Sequence, residues 1–212
     1  GSFERGETAT TFARTANYVR HLSATSLSAL RIEGITFSGG YISGKGLKGG
    51  AIYVASSATV ISNCVFTGNR FNDGEPGGSG TVSFGGGGAV AAVTSGSLNL
   101  VDCQFTGNFR SAGDTNNGSG GAVYANNVSL AVSGCSFIGN YLDCAASRPY
   151  LFGAAVATYY GNVAISNCTF RMWQFPIARS QAITYAVAQL LAEALPGPWR
   201  YETQHCSGCL IR

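Results

Sequence analysis

Residues 87–108 read GGAVAAVTSGSLNLVDCQFTGN, and the pattern inside them decides the fold. Leu98 and Leu100 alternate with polar neighbours, the phase slips by one residue at Asp102, and Cys103 and Phe105 take up the alternation again. A period of two is that of a half-buried strand. Asp is one of the residue types that tolerates a bend at the slip. The stretch recurs. Residues 49–69 read GGAIYVASSATVISNCVFTGN, residues 120–140 read GGAVYANNVSLAVSGCSFIGN, and residues 153–170 read GAAVATYYGNVAISNCTF. A degenerate earlier copy, LSALRIEGITFSGG, spans residues 27–40. The slip residues of the other full copies are Asn63, Gly134 and Asn167. The matched cysteines lie 39, 32 and 33 residues apart, so the period is kept while insertions are tolerated.

Each copy supplies three short strands, one of them from the Gly-Gly-Ala opening, whose small residues let backbone pass closely. So few strands cannot bury their own inner face, and stacking on the next copy is the remedy. The fold class read from this is all-β: a right-handed parallel β-helix, a solenoid of about five coils with terminal helical caps. Equivalent side chains then repeat about every 4.8 Å along the axis. Cys64, Cys103, Cys135 and Cys168 form one inner column. Phe66, Phe105, Phe137 and Phe170 form another. Asn69, Asn108 and Asn140 form an amide ladder at the turns. The insertions at 70–86, 109–119 and 141–152 all follow the Gly-Asn turn, so the loops project from one side. That side is the expected contact surface, with Tyr141, Arg148, Tyr150 and Phe152 as candidate anchors.

The ends differ in pattern. Over residues 12–22, Phe12, Ala16, Val19 and Leu22 fall on a helical face. Over 177–195, Ile183, Val187, Leu190, Leu191, Ala194 and Leu195 follow the 3.6 period between Pro176 and Pro196. A helix across each open end covers apolar core and unpaired edges. The expected organisation is an N-terminal cap segment at 1–26, β-helix repeats at 27–175, and a capping helix and tail at 176–212.

Composition narrows the function. Among 212 residues, 30 are Gly, 45% are hydrophobic and 11% are charged, with 13 Lys and Arg against 10 Asp and Glu. The chain is too apolar for a disordered tail. It has no basic run to grip nucleic acid, no triplet glycine period, and no apolar stretch long enough to span a membrane. Carbohydrate-active sites need clustered carboxylates. Of the acidic residues only Asp102 sits within a well-defined coil, and His21 and His205 lie in opposite terminal regions. No catalytic residue, metal site or cofactor is expected. Four thiols in one line cannot surround a tetrahedral zinc and read as small buried apolar groups. The remaining cysteines, Cys144, Cys206 and Cys209, are disulfide candidates, and the total of seven leaves at least one thiol free or paired between chains. Asn117, Asn127 and Asn167 each open an N-glycosylation sequon.

The motif GGA(I/V) occurs at Gly49–Ile52, Gly87–Val90 and Gly120–Val123, and in weakened form at Gly153–Val156. The motif FxxN occurs at Phe66–Asn69, Phe105–Asn108 and Phe137–Asn140. The pairing resembles the repeats of the chlamydial polymorphic membrane proteins over about residues 27 to 172. The outer copies depart from it, with Phe37–Gly40 first and Phe170–Trp173 last. The resemblance implies an extracellular or cell-surface location and an adhesive role. The expected function is therefore a non-enzymatic structural or adhesion module that assembles through its ends or its loop face, as a subunit of a surface filament or wall layer. Its expected partners are copies of itself or other surface proteins, and glycans. The alternative is a carbohydrate-binding or carbohydrate-cleaving β-helix of the pectin-lyase kind.

Overall fold

The computed structural model describes residues 10–14, 18–44, 47–72, 86–112, 118–144, 151–171, 206–207 and 210–211. Among the described residues there is no helix, and the strand pairings are parallel throughout. The protein is all-β.

One sheet stacks β1 (Thr10–Ala13), β4 (Ile35–Ser38), β7 (Val65–Thr67), β10 (Gln104–Thr106), β15 (Ser136–Ile138), β20 (Thr169–Arg171) and β22 (Leu210–Ile211) in that order. A second stacks β5 (Tyr41–Ser43), β8 (Arg70–Asn72), β11 (Phe109–Ala112) and β16 (Tyr141–Cys144). The largest has nine strands. Its long members β6 (Ile52–Ser62) and β9 (Val90–Val101) pair with each other across a register shift between Ala55 and Ser57. On the far side of β9 follow β13 (Val123–Asn126) and β18 (Val156–Tyr159), and beside them β14 (Ser129–Ser133), β19 (Val163–Ser166) and β21 (Cys206–Ser207). On the near side of β6 lie β2 (Leu22–Thr25) and β3 (Leu30–Glu33). A small ladder pairs β12 (Gly118–Ser119) with β17 (Leu151–Phe152).

The chain visits the three large sheets in rotation, and each visit lands one strand further along. Register follows the repeat: Ile61, Leu100, Val132 and Ile165 are partners in line, as are Phe37, Phe66, Phe105, Phe137 and Phe170. These residues face one continuous buried core. The phase slip is a left-handed residue before each matched cysteine, at Asn63 (φ 51°), Asp102 (51°), Gly134 (65°) and Asn167 (53°). A second left-handed position precedes each ladder Asn. A Cβ on Gly107 would meet open space, so its φ of 60° is the whole demand for glycine there. Gly88 is the opposite case. A Cβ there would run into the carbonyls of Gly121 and Phe109, so bare backbone is required.

Three expectations need correction. The described ends of the 12–22 segment are extended, not helical: Phe12 lies in strand β1 and Leu22 in strand β2, while Ala16 lies outside the described residues. The reason is packing, since the Phe12 ring stacks on Phe37 at 5.7 Å while the amides of His21 and Leu22 bond the Ala51 carbonyl. The sheets therefore begin ahead of residue 27. The Gly-Gly-Ala opening is not a strand of its own but the approach to β6, β9 and β13. Instead, an additional strand follows each Asn turn, where loop was expected, so Tyr141 and Cys144 belong to β16. The 177–195 segment lies outside the described residues, as do Arg148, Tyr150, Asn117 and Cys209.

Candidate functional site

Three interior columns hold the repeats together. The ring stack runs Phe12, Phe37, Phe66, Phe105, Phe137, Phe170, with centroid spacings of 5.7, 5.1, 4.7, 4.8 and 5.0 Å. All five gaps are near parallel, with ring planes within 12°. In-register parallel strands impose this spacing.

The asparagine column closes the turns. Asn108 is fully buried. Its Oδ1 accepts from the Asn69 amide (3.0 Å) and from Asn69 Nδ2 (2.9 Å), while its Nδ2 donates to the Phe66 carbonyl (2.9 Å) and to Asn140 Oδ1 (3.0 Å). Asn69 repeats the pattern one level up, accepting from the Gly40 amide (2.8 Å) and donating to the Phe37 carbonyl (3.0 Å). Each side chain thus replaces partners that a buried turn backbone lacks.

The thiol column lies two residues before the rings, and all four thiols are free and buried. Each sulfur lies within hydrogen-bond distance of the carbonyl two residues back, at 3.2 Å for Cys64, 3.3 Å for Cys103 and Cys135, and 3.1 Å for Cys168. A hydrogen bond with Cys103, together with burial, holds the Cys64 thiol above its ordinary value. Hydrogen bonds with Cys103 and Cys168, and burial, do the same for Cys135. No group of three or more metal-ligating side chains forms among the described residues.

The outer surface carries a mixed aromatic and cationic row on the second sheet. Tyr41, Arg70, Phe109 and Tyr141 are partners in register. The Arg70 guanidinium sits 4.7 Å from the Tyr41 ring centre and 5.0 Å from that of Phe109, and Phe109 stacks on Tyr141 at 4.7 Å. Of the candidate loop anchors, Tyr141 is thus engaged in a stack, and Phe152 falls in the short strand β17. The next column places a fully buried Arg110 over the Phe71 ring at 5.6 Å. Tyr124, on the outward side of β13, is also fully buried, and burial pushes its phenol up to about 12. Apart from Tyr141 and Phe152, these residues escape a reading of the repeats alone. The available signal is the residue after each turn: Tyr41, Arg70, Phe109 and Tyr141 are all large.

Two sequon asparagines are exposed at left-handed positions, Asn127 (φ 57°) and Asn167 (φ 53°). The Asn127 amide nitrogen donates to the Thr94 carbonyl.

The N-terminal end has its own character. All four residues of β1 are exposed and uncharged, and Phe12 is 46% exposed as the last ring of the stack. His21 fills the space beside it, with ring centroids 6.4 Å from Phe12 and 5.9 Å from Phe37, and Nε2 3.2 Å from the Ser38 carbonyl. Burial lowers its pKa, opposed by that backbone contact. The neighbouring end strand β3 differs, because it presents an Arg31–Glu33 ion pair at 3.3 Å with both side chains at least half exposed. Comparison of the chain with family models, with curated proteins and with solved structures finds no match.

Proposed function

We propose that the chain is a right-handed parallel β-helix that acts as a non-enzymatic extracellular structural or adhesion module, extended by strand addition at its N-terminal end. The supporting observation is the β1 edge. It is the first strand of a seven-strand parallel stack, exposed over its whole length, without charge, and tipped by Phe12. Charged side chains on an end strand discourage pairing with another chain. The Arg31–Glu33 pair gives β3 that protection, and β1 has none. An added strand would satisfy the open backbone groups of β1 and cover the last ring. Joining this end to the opposite end of the next copy is a head-to-tail contact, which leaves a free end at each step and builds a filament where the rotation between copies does not close into a ring. No helix among the described residues is long and apolar enough to cross a membrane.

Sedimentation velocity over a wide concentration range tests the proposal. Association that grows with concentration, and is lost in Thr11→Lys, supports it. A monomer at every concentration, or glycan turnover lost on replacing one acidic residue, overturns it.

A further inference from the structure

The thiol column is the largest set of reactive side chains that the proposed role leaves unused. Flanking residues fix the cysteines in register: Ser62, Val101, Ser133 and Ser166 are partners just before them, and Val65, Gln104, Ser136 and Thr169 just after. Backbone bonds run from residue to residue across the same levels, from the Gln104 amide to the Cys64 carbonyl, from Ser136 to Cys103, and from Thr169 to Cys135, each at 2.9 Å. Neighbouring strands lie about 4.8 Å apart. That separation falls inside the range of roughly 4.4–6.8 Å between the Cα atoms of disulfide-bonded residues. The sulfurs also approach the next level. Cys135 Sγ lies 3.4 Å from the Cys103 amide nitrogen, and Cys168 Sγ lies 3.7 Å from the Val132 carbonyl oxygen.

We propose that this column is a redox site that stitches neighbouring repeats together, joining Cys64 to Cys103 and Cys135 to Cys168 when the chain folds in the presence of a disulfide donor such as oxidised glutathione. Only neighbours can pair, because any other partner lies two or three strand spacings away. An internal Cys103–Cys135 bond would strand Cys64 and Cys168 three levels apart, so complete oxidation has a single solution. Cys103 has a thiol on the level to either side of it and takes the first step. Its thiolate attacks the donor disulfide, and one glutathione leaves as thiolate. In the opened state, where burial no longer holds its proton, Cys64 ionises and attacks the mixed disulfide at the Cys103 sulfur, releasing the second glutathione. Two protein thiols are oxidised, one glutathione disulfide is reduced to two thiols, and the two thiol protons end on the glutathione sulfurs. Cys168 and Cys135 follow the same course. Burial of all four sulfurs places the reaction in the folding chain or in a locally opened state. Each bond closes a loop of more than thirty residues, a length at which cross-linking restricts the unfolded chain substantially.

The test uses the full chain with Cys144, Cys206 and Cys209 replaced by serine, refolded with a mixture of reduced and oxidised glutathione. Intact mass is expected to fall by four hydrogens. Peptide mapping is expected to recover the Cys64 peptide linked to that of Cys103, and Cys135 linked to Cys168. In the same background Cys103→Ser is expected to retain only the second bond and to leave Cys64 open to alkylation. Oxidised protein is expected to unfold at higher urea than its reduced form. Four alkylatable thiols in a chain that shows the native strand signal by circular dichroism would overturn the proposal. So would bonds between non-neighbours, or failure of the reduced, folded protein to form either bond on prolonged incubation with oxidised glutathione.

Discussion

Replacing Asn108 by alanine removes the middle of the turn ladder without touching the apolar core. Four groups lose a partner: the Asn69 amide, the Asn69 Nδ2, the Phe66 carbonyl and the Asn140 Oδ1. A buried polar group left without its partner costs about 1–3 kcal/mol. The Asn69 Nδ2 keeps the Phe37 carbonyl and the Asn140 Oδ1 keeps the Asn108 amide, so with some relief from water entering the vacated space the four together come to roughly 3–6 kcal/mol. That is a large fraction of the roughly 5–15 kcal/mol that holds an ordinary domain folded. Asn108→Asp keeps the shape and the Oδ1 acceptor but puts an oxygen against the Phe66 carbonyl, so it is expected to fall between alanine and wild type only at acid pH, where the carboxyl can donate. Urea unfolding followed by circular dichroism gives the difference in free energy. Asn99→Ala, on a half-buried outward position of β9, is the control and is expected to stay within about 0.5 kcal/mol of wild type. A loss below about 1 kcal/mol for Asn108→Ala would refute the reasoning, because a side chain carrying four buried bonds cannot be removed so lightly.

Two further outcomes follow from the same packing. Gly88→Ala is expected to cost at least about 3 kcal/mol, since the new methyl meets backbone that cannot move. Gly107→Ala, with open space but φ at 60°, is expected to cost about 1–2 kcal/mol, and Gly107→Asn less; equal losses at the two glycines, read by urea unfolding, would contradict this. His21 has its pKa lowered by burial, so the unfolded chain binds its proton more readily. Stability is therefore expected to be full above the unfolded value near 6.5 and to fall as pH drops through it towards the depressed native value. His21→Phe is expected to flatten that part of the stability profile, and an unchanged slope would contradict the assignment.

The strands of the repeat are legible because alternation and slip are both written in residue type. Leu98, Leu100, Cys103 and Phe105 reveal the two inner-facing runs, and Asp102 between them adopts the left-handed conformation that the slip requires. Other parts leave weaker marks. The strands after the Asn turn have three or four residues before long insertions begin, too few to show a period. At the N-terminal end a chance 3.6 spacing over residues 12–22 suggests a helical face, and stacking of Phe12 against Phe37 is what makes Thr10–Ala13 a strand. Arg110 is hidden for a different reason. A charged residue after a turn reads as solvent-exposed, whereas here it is fully buried over Phe71.

Hydrogen-bond scalar couplings measured by NMR offer the most direct check that each repeat lies on the next in parallel register. Correlations are expected from the Gln104 nitrogen to the Cys64 carbonyl carbon, from Ser136 to Cys103, and from Thr169 to Cys135. Couplings that instead connect residues four apart in sequence, or that join these strands in antiparallel order, would contradict the account.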